Sequence, residues 1–252
     1  MKTKFPNIVE FQVSGAYALF SDPLMRVGGE KCSYQIPTYE ALKGILMSVY
    51  WKPTFIWVID KVRVMNPIQT EVKGIRPLNY TGGNELAYYT YLKDCRYQVS
   101  AHFEWNDNRS ELANDRNENK HHEIAKRMIA KGGRRDIFLG ARECQGYVEP
   151  CVFGEGDGAY DNIPQLAFGN MYHGITYADE AYSDETKGVM TVNFWRPVMV
   201  NGIIRFVRPD ECPDHRIIHK MSVKLFGKKM GNFSGLEEFE EVNINGPDAA
   251  GV

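Results

Sequence analysis

The sequence predicts an α+β chain in two parts, on three observations. Through residue 155 the elements follow the order strand, helix, strand, strand, helix, strand. Beyond Gly154-Glu155-Gly156-Asp157-Gly158 helical spacing disappears and only strand-like segments follow. Among these, Asn201-Gly202 is a strong hairpin signal, because a type I′ turn needs positive φ at both central residues. The first order is the split β-α-β of a ferredoxin-like (RRM-like) domain, an architecture shared by many RNA-recognition modules. The expected layout is a ferredoxin-like domain with a β-hairpin insertion over residues 1–155, a small antiparallel β domain over 156–236 and an acidic mobile tail over 237–252.

Each element has its own signal. Val9, Phe11 and Val13 alternate with Glu10 and Gln12, the period of two that marks a half-buried strand. Gly28-Gly29-Glu30-Lys31 reads as a turn. Thr38 can cap a helix whose Ala41, Leu42, Ile45, Leu46 and Val49 follow helical spacing, with Pro53 just beyond its end. Residues 55–65 are strand-like, and 97–105 give the cleanest alternation in the chain. Asp115 with Glu118 resembles a capping box for a second helix, whose stripe of Ile124, Ala125, Met128 and Ile129 ends at Gly132. Residues 137–148 read as a strand with an irregularity near Gly140, and further strands are expected at 170–177, 189–199 and 203–207.

Lys plus Arg number 30 and Asp plus Glu 32, and the whole-chain charge of −2 by itself argues against a strongly basic nucleic-acid binder. The acids are unevenly placed. Residues 237 to 252 hold five (Glu237, Glu238, Glu240, Glu241, Asp248) and no base, leaving residues 1 to 236 with 30 bases against 27 acids, a charge of +3. Residues 109 to 142 alone hold nine bases and five acids. The longest apolar runs, five residues at 16–20 and 55–59, fall far short of a bilayer span. Basic residues at the N-terminus have no apolar stretch behind them, so no secretory signal and no membrane partner are read. Five cysteines (Cys32, Cys95, Cys144, Cys151, Cys212) without a C-x-x-C pair fit neither a disulfide framework nor a zinc ribbon, and point to a reducing cytoplasm.

Most candidate motifs have an ordinary explanation. The glycines at 154, 156 and 158 are not followed by Lys-Ser/Thr or a helix, so a flexible interdomain turn is preferred to a phosphate loop. Cys144 and Cys151 lack a histidine at zinc spacing and read as inert. Tyr88, Tyr89 and Tyr91 can stack on bases or simply pack. Lys120-His121-His122-Glu123 is the most informative segment. Adjacent helical residues diverge by about 100°, so the two histidines are not read as metal ligands, and no metal or other cofactor is expected. His121 falls near the centre of the apolar stripe and so faces the protein body, as a core histidine also would. In a β-α-β-β-α-β sandwich the end of the first helix and the start of the second share one end of the domain. Tyr50 closes the first and Lys120 and His121 open the second, beside the partial positive charge of a helix N-terminus.

At these residues a family resemblance emerges. Ala41-Leu42-Lys43-Gly44-Ile45, Tyr50-Trp51-Lys52-Pro53, Asp115-Arg116-Asn117-Glu118 with Lys120-His121, and the run from Gly132-Gly133-Arg134-Arg135-Asp136 through Ile137-Phe138-Leu139-Gly140-Ala141-Arg142-Glu143-Cys144 resemble the subtype I-C CRISPR-associated Cas-five proteins, repeat-processing members of the RAMP superfamily. The resemblance extends from about residue 5 to 230, and Phe194-Trp195 and Arg205-Phe206 fit that family's C-terminal sheet.

The resemblance implies a metal-independent endoribonuclease that cuts the repeat hairpins of precursor CRISPR RNA. It implies further that the protein stays on the 5′ handle, beside the large and backbone subunits of the type I-C interference complex. The catalytic Tyr, Lys and His of the family correspond to Tyr50, Lys120 and His121, with His122 as a spare base. Cleavage then proceeds by attack of a 2′-OH on its adjacent phosphate, leaving a 2′,3′-cyclic phosphate. Proton transfer is assigned to His121, charge stabilisation to Lys120, and orientation of the 2′-OH or phosphate to Tyr50; the other version is a tyrosinate base at Tyr50, its pKa lowered by Lys120 beside it. RNA contacts are expected from Arg26, Lys31, Arg116, Arg134, Arg135 and Arg142. Arg134 and Arg135, beyond the end of a helix some ~16 Å long from His121, are expected to lie away from the chemistry. The alternative reading is a non-catalytic handle-binding subunit, or one that contacts duplex DNA through its arginines.

Overall fold

In the computed structural model, which describes residues 6–23, 25–78, 82–83, 85–221 and 223, the central scaffold is an antiparallel sheet. Its strands are β1 (Val9–Ala18), β2 (Phe55–Val64), β3 (Gln69–Ile75), β4 (Ala87–Trp105), β5 (Ile137–Phe138), β6 (Gln145–Pro150) and β7 (Leu166–Ala167), joined later by two more. β8 (Met171–Thr176) and β9 (Val189–Trp195) belong to a second sheet; β10 (Val198–Val200) and β11 (Ile203–Arg205) return to the first; β12 (Asp214–Lys220) completes the second. The large sheet runs β5-β6-β1-β4-β2-β11-β10-β7 with β3 paired to β4, and the small one runs β12-β9-β8. The expected tail at 237–252 lies outside the described residues. No helix among the described residues is long and apolar enough to cross a membrane.

Two helices lie between these strands in the chain, α1 (Tyr39–Val49) after β1 and α2 (Glu118–Ala130) after β4. Thr38 caps α1 as its position suggests, its Oγ1 accepting from Ala41 N at 3.2 Å. The buried face of α1 carries Leu42, Ile45, Leu46 and Val49. At α2 the expected capping box is replaced by a simpler cap: Asn117 Oδ1 accepts from Lys120 N at 3.0 Å. Asp115 lies two residues earlier, ending a 3-10 turn (Ser110–Asp115), which frees its carboxylate for other partners.

The second half of the chain is less separate than its composition suggests. Met1–Ser222 form one compact unit, and β11 pairs directly with β2, Ile203 opposite Arg63. The glycine-rich stretch at 154–158 is tied down, contrary to the flexible turn expected of it. Arg63 Nη2 donates to Gly156 O at 2.8 Å, Gln98 Nε2 donates to Glu155 O at 2.8 Å, and Gly154 N donates to Gln98 Oε1 at 2.9 Å. Glycine supplies the positive φ these bends require, but its carbonyls bond like any others. The run 189–199 is two strands in different sheets, divided at Arg196-Pro197, because proline has no N–H for a ladder. The irregular strand at 137–148 is a hairpin, β5 with β6. In its loop a Cβ on Gly140 would stand 2.1 Å from Leu19 O, so only glycine fits. Asn201 (φ 47°) and Gly202 (φ 76°) form the β10–β11 turn their pairing foretells.

Candidate active site

The C-terminal end of α1 and the N-terminal end of α2 meet, as the element order requires. Tyr50 leaves helical geometry at φ −157°, its N–H still donating to Leu46 O and its carbonyl accepting from Trp57 Nε1 at 2.8 Å. The backbone of Tyr50 is therefore held from both α1 and β2. Its hydroxyl lies 2.8 Å from His121 Nδ1. On the far side of the ring, His121 Nε2 lies 2.7 Å from the main-chain oxygen of Asp115. A carbonyl only accepts, so Nε2 carries the proton and donates; Nδ1 is then the bare nitrogen, and Tyr50 Oη donates to it.

His121 is completely enclosed, with Phe55, Phe103 and Trp105 around its ring at centroid distances of 5.3, 6.3 and 5.9 Å. The stripe position read from sequence is thus correct. The imidazole has no surface open to solvent, and its Nδ1 faces the Tyr50 hydroxyl. Tyr50, 5% exposed, is the member of the pair that reaches the surface. Burial pushes its hydroxyl pKa up, the charge of Asp115 pushes it further, and the guanidinium of Arg134 opposes both. That environment favours the neutral phenol over a tyrosinate.

Lys120 is the exposed cation of the cluster. Its Nζ donates to Asp115 Oδ1, and nearly half of its side chain remains open to solvent. Asp115 Oδ2 accepts from Thr54 Oγ1 at 3.1 Å and stands 3.5 Å from His121 Nε2. The hydrogen bond from Lys120 holds the Asp115 carboxyl below the usual carboxylate range. Neither Asp115 nor Thr54 carries a functional signal of its own in the sequence. Asp115 looks like a helix cap in sequence, and Thr54 has no signal apart from its place before β2.

His122 goes elsewhere: its Nε2 donates to Ile8 O at 2.9 Å, on the side facing the start of β1. The loop after α2 also departs from expectation. Gly132 (φ 80°) and Gly133 (φ 105°) reverse the chain, and Arg135 N then donates to Ser48 O at 3.1 Å, two residues before Tyr50. Helix α2 leads away from His121 as far as Gly132, but the reversal brings the chain back, so Arg134 and Arg135 are exposed beside the site and not remote from it. Of the other expected RNA contacts, Arg142 is exposed and Lys31 stands 4.9 Å over the ring of Tyr89. Arg116 is engaged internally, with Asn106 O at 2.9 Å and Asp107 Oδ1 at 3.2 Å. The side chain of Arg26 lies outside the described residues. The tyrosines divide: Tyr88 is exposed, Tyr89 half-buried, and Tyr91 packed in the core.

Comparison with known proteins agrees with this chain's motifs. A family model described as CRISPR-associated protein (Cas_Cas5) matches residues 8–207. A protein of Mannheimia succiniciproducens named CRISPR pre-crRNA endoribonuclease Cas5d is 33% identical over 150 residues, covering 50% of this chain and 64% of that one. Its namesake from Thermus thermophilus is 28% identical over 152 residues, covering 56% and 63%. The matches thus span a little under two thirds of these curated relatives. A solved CRISPR-associated protein superposes with a TM-score of 0.70 at 35% identity, over 83% of this chain and 96% of that one. A functionally uncharacterized protein from Streptococcus mutans superposes with a TM-score of 0.69 at 38% identity over the same shares. With the family model matched from β1 through β11, this chain belongs to the CRISPR-associated Cas5 family.

Proposed function

We propose that this protein is a metal-independent endoribonuclease that cuts CRISPR repeat hairpins in precursor RNA. We read it as then staying on the 5′ handle as a subunit of the type I-C interference complex, with the large and backbone subunits as partners. The names of its relatives support the substrate class. The observation that carries the chemistry is the 2.8 Å hydrogen bond between Tyr50 and the enclosed His121, with Lys120 open beside it. The strand order β6-β1-β4-β2, with a helix following β1 and another following β4, supports the ferredoxin-like RNA-binding scaffold of RAMP proteins. The five free cysteines suit a cytoplasmic protein.

In this mechanism Tyr50 Oη meets the 2′-OH of the nucleotide 5′ of the cut. As the 2′ oxygen attacks its adjacent phosphorus, the 2′ proton passes to Tyr50 Oη while the tyrosine proton passes to His121 Nδ1. The P–O2′ bond forms and the P–O5′ bond breaks, and the leaving 5′ oxygen takes a proton from water. Lys120 and Arg134 face the negative charge that gathers on the phosphorane. The enclosed imidazole is the base, and the phenol is the conduit to it.

The near-burial of Tyr50 favours a second reading, a subunit that binds the handle without cutting it. Incubating the protein with a repeat hairpin in EDTA separates the two. The expected products carry a 2′,3′-cyclic phosphate and a 5′-OH. Strong binding without cleavage, or cleavage only after divalent metal is restored, would overturn the proposal.

A further inference from the structure

Asp115 has no place in the proton path just described, yet it touches both His121 and Lys120. Its main-chain oxygen accepts from His121 Nε2 at 2.7 Å, while its carboxylate accepts from Lys120 Nζ and Thr54 Oγ1 and leaves Oδ2 3.5 Å from the same Nε2. The main-chain bond alone sets the tautomer. The carboxylate adds a negative charge on the side of the ring opposite Tyr50, where imidazolium charge appears once the tyrosine proton has crossed. A buried imidazolium without such a partner is costly. The order hydroxyl, imidazole, carboxylate is the logic of an activated nucleophile with its base and orienting acid, applied here to a relay.

We propose that Asp115 is a positioning residue that stabilises the protonated state of His121 and steers Lys120 toward the scissile phosphate. This rests on the reading of Tyr50 and His121 as a relay. Thr54, at the entry to β2, fixes the carboxylate so that one oxygen faces Lys120 and the other faces His121. As Lys120 moves its ammonium toward a bound phosphate, the carboxylate keeps its second partner, and the site does not strand a lone negative charge.

Asp115→Asn tests the assignment, since it keeps the shape and the main-chain carbonyl while removing the charge. Single-turnover cleavage at saturating protein should fall by about 10- to 100-fold with RNA affinity changed little. Asp115→Glu, which keeps the charge, should restore part of the rate. The Nε2–H signal of His121 in NMR, which needs no activity, should move in Asp115→Asn while the signals of His173 stay in place. If the wild type fails to cut RNA, the relay reading fails, while the NMR comparison still tests the carboxylate. An unmoved Nε2–H signal overturns the role of Asp115, as does a loss of rate that merely follows a fall in melting temperature and is not recovered by Asp115→Glu.

Discussion

Each end of α1 carries a tyrosine set against a completely buried histidine, and the two pairs are built differently. At the N-terminal end Tyr39 lies flat on His173, ring centroids 4.3 Å apart at 19°, with Trp195 and Phe206 edge-on around the imidazole. His173 Nε2 donates to Val207 O at 3.0 Å, and Nδ1 has no hydrogen-bond partner among the described residues. At the C-terminal end the rings of Tyr50 and His121 stand 6.0 Å apart and meet through an O–H to nitrogen bond. The first pair joins α1 to the second sheet by packing. The second joins α1 to α2 by a chain of polar groups that continues through Asp115 and Lys120 to solvent. Residue type alone does not distinguish the two. What differs is whether the second imidazole nitrogen is given a partner and whether the chain of partners ends at the surface.

The pH dependence of stability sharpens that contrast most. Burial holds the His173 pKa down to about 4, whereas a histidine in the unfolded chain titrates near ~6.5. As pH falls between those values the unfolded state binds a proton that the folded state refuses, so stability falls by about 3 kcal/mol across the window and is unaffected above it. Urea unfolding of the wild type and His173→Phe should show this slope only in the former. His102 acts in the opposite sense, since its hydrogen bonds to Asp60 and Glu104 outweigh the effect of burial and raise its pKa. It is present in both proteins, so the difference between them isolates His173. Equal slopes would place His173 in a wetter setting than the structure gives it.

A smaller effect separates the two arginines of the reversed loop. Arg134 acts electrostatically on Tyr50, so Arg134→Ala should lower the saturated cleavage rate by about tenfold. Arg135 contributes its main-chain N–H to Ser48, so Arg135→Ala should leave that rate within a factor of about three while reducing the salt slope of RNA binding by about one. Equal effects on rate would mean that the loop does not divide its work in this way.

How much was legible follows from the same physics. Helix α1 with its Thr38 cap, the core alternation of β4, the β10–β11 turn and the meeting of Tyr50 with His121 were readable, because each depends on local periodicity or on element order. β12 was not, since all seven of its residues are exposed and no alternation of burial marks it. The return of Arg134 to the site was hidden by a chain reversal at two glycines, which fixes φ but not direction. Asp115 was hidden because its sequence context suits a cap, and only the structure shows that Asn117 has taken that task.

In the relay proposed for this site, the tyrosine at one end of α1 passes a proton and its counterpart at the other end does not. Single-turnover cleavage of a repeat hairpin in EDTA by Tyr50→Phe and Tyr39→Phe, with RNA affinity measured alongside, tests it directly. Both variants lose one oxygen atom and keep their ring. Tyr50→Phe should be slower by a factor of about 10² to 10⁴ at nearly unchanged affinity, and Tyr39→Phe should stay within about threefold of the wild type. Near-normal cleavage by Tyr50→Phe, or an equal loss in both, would contradict the relay.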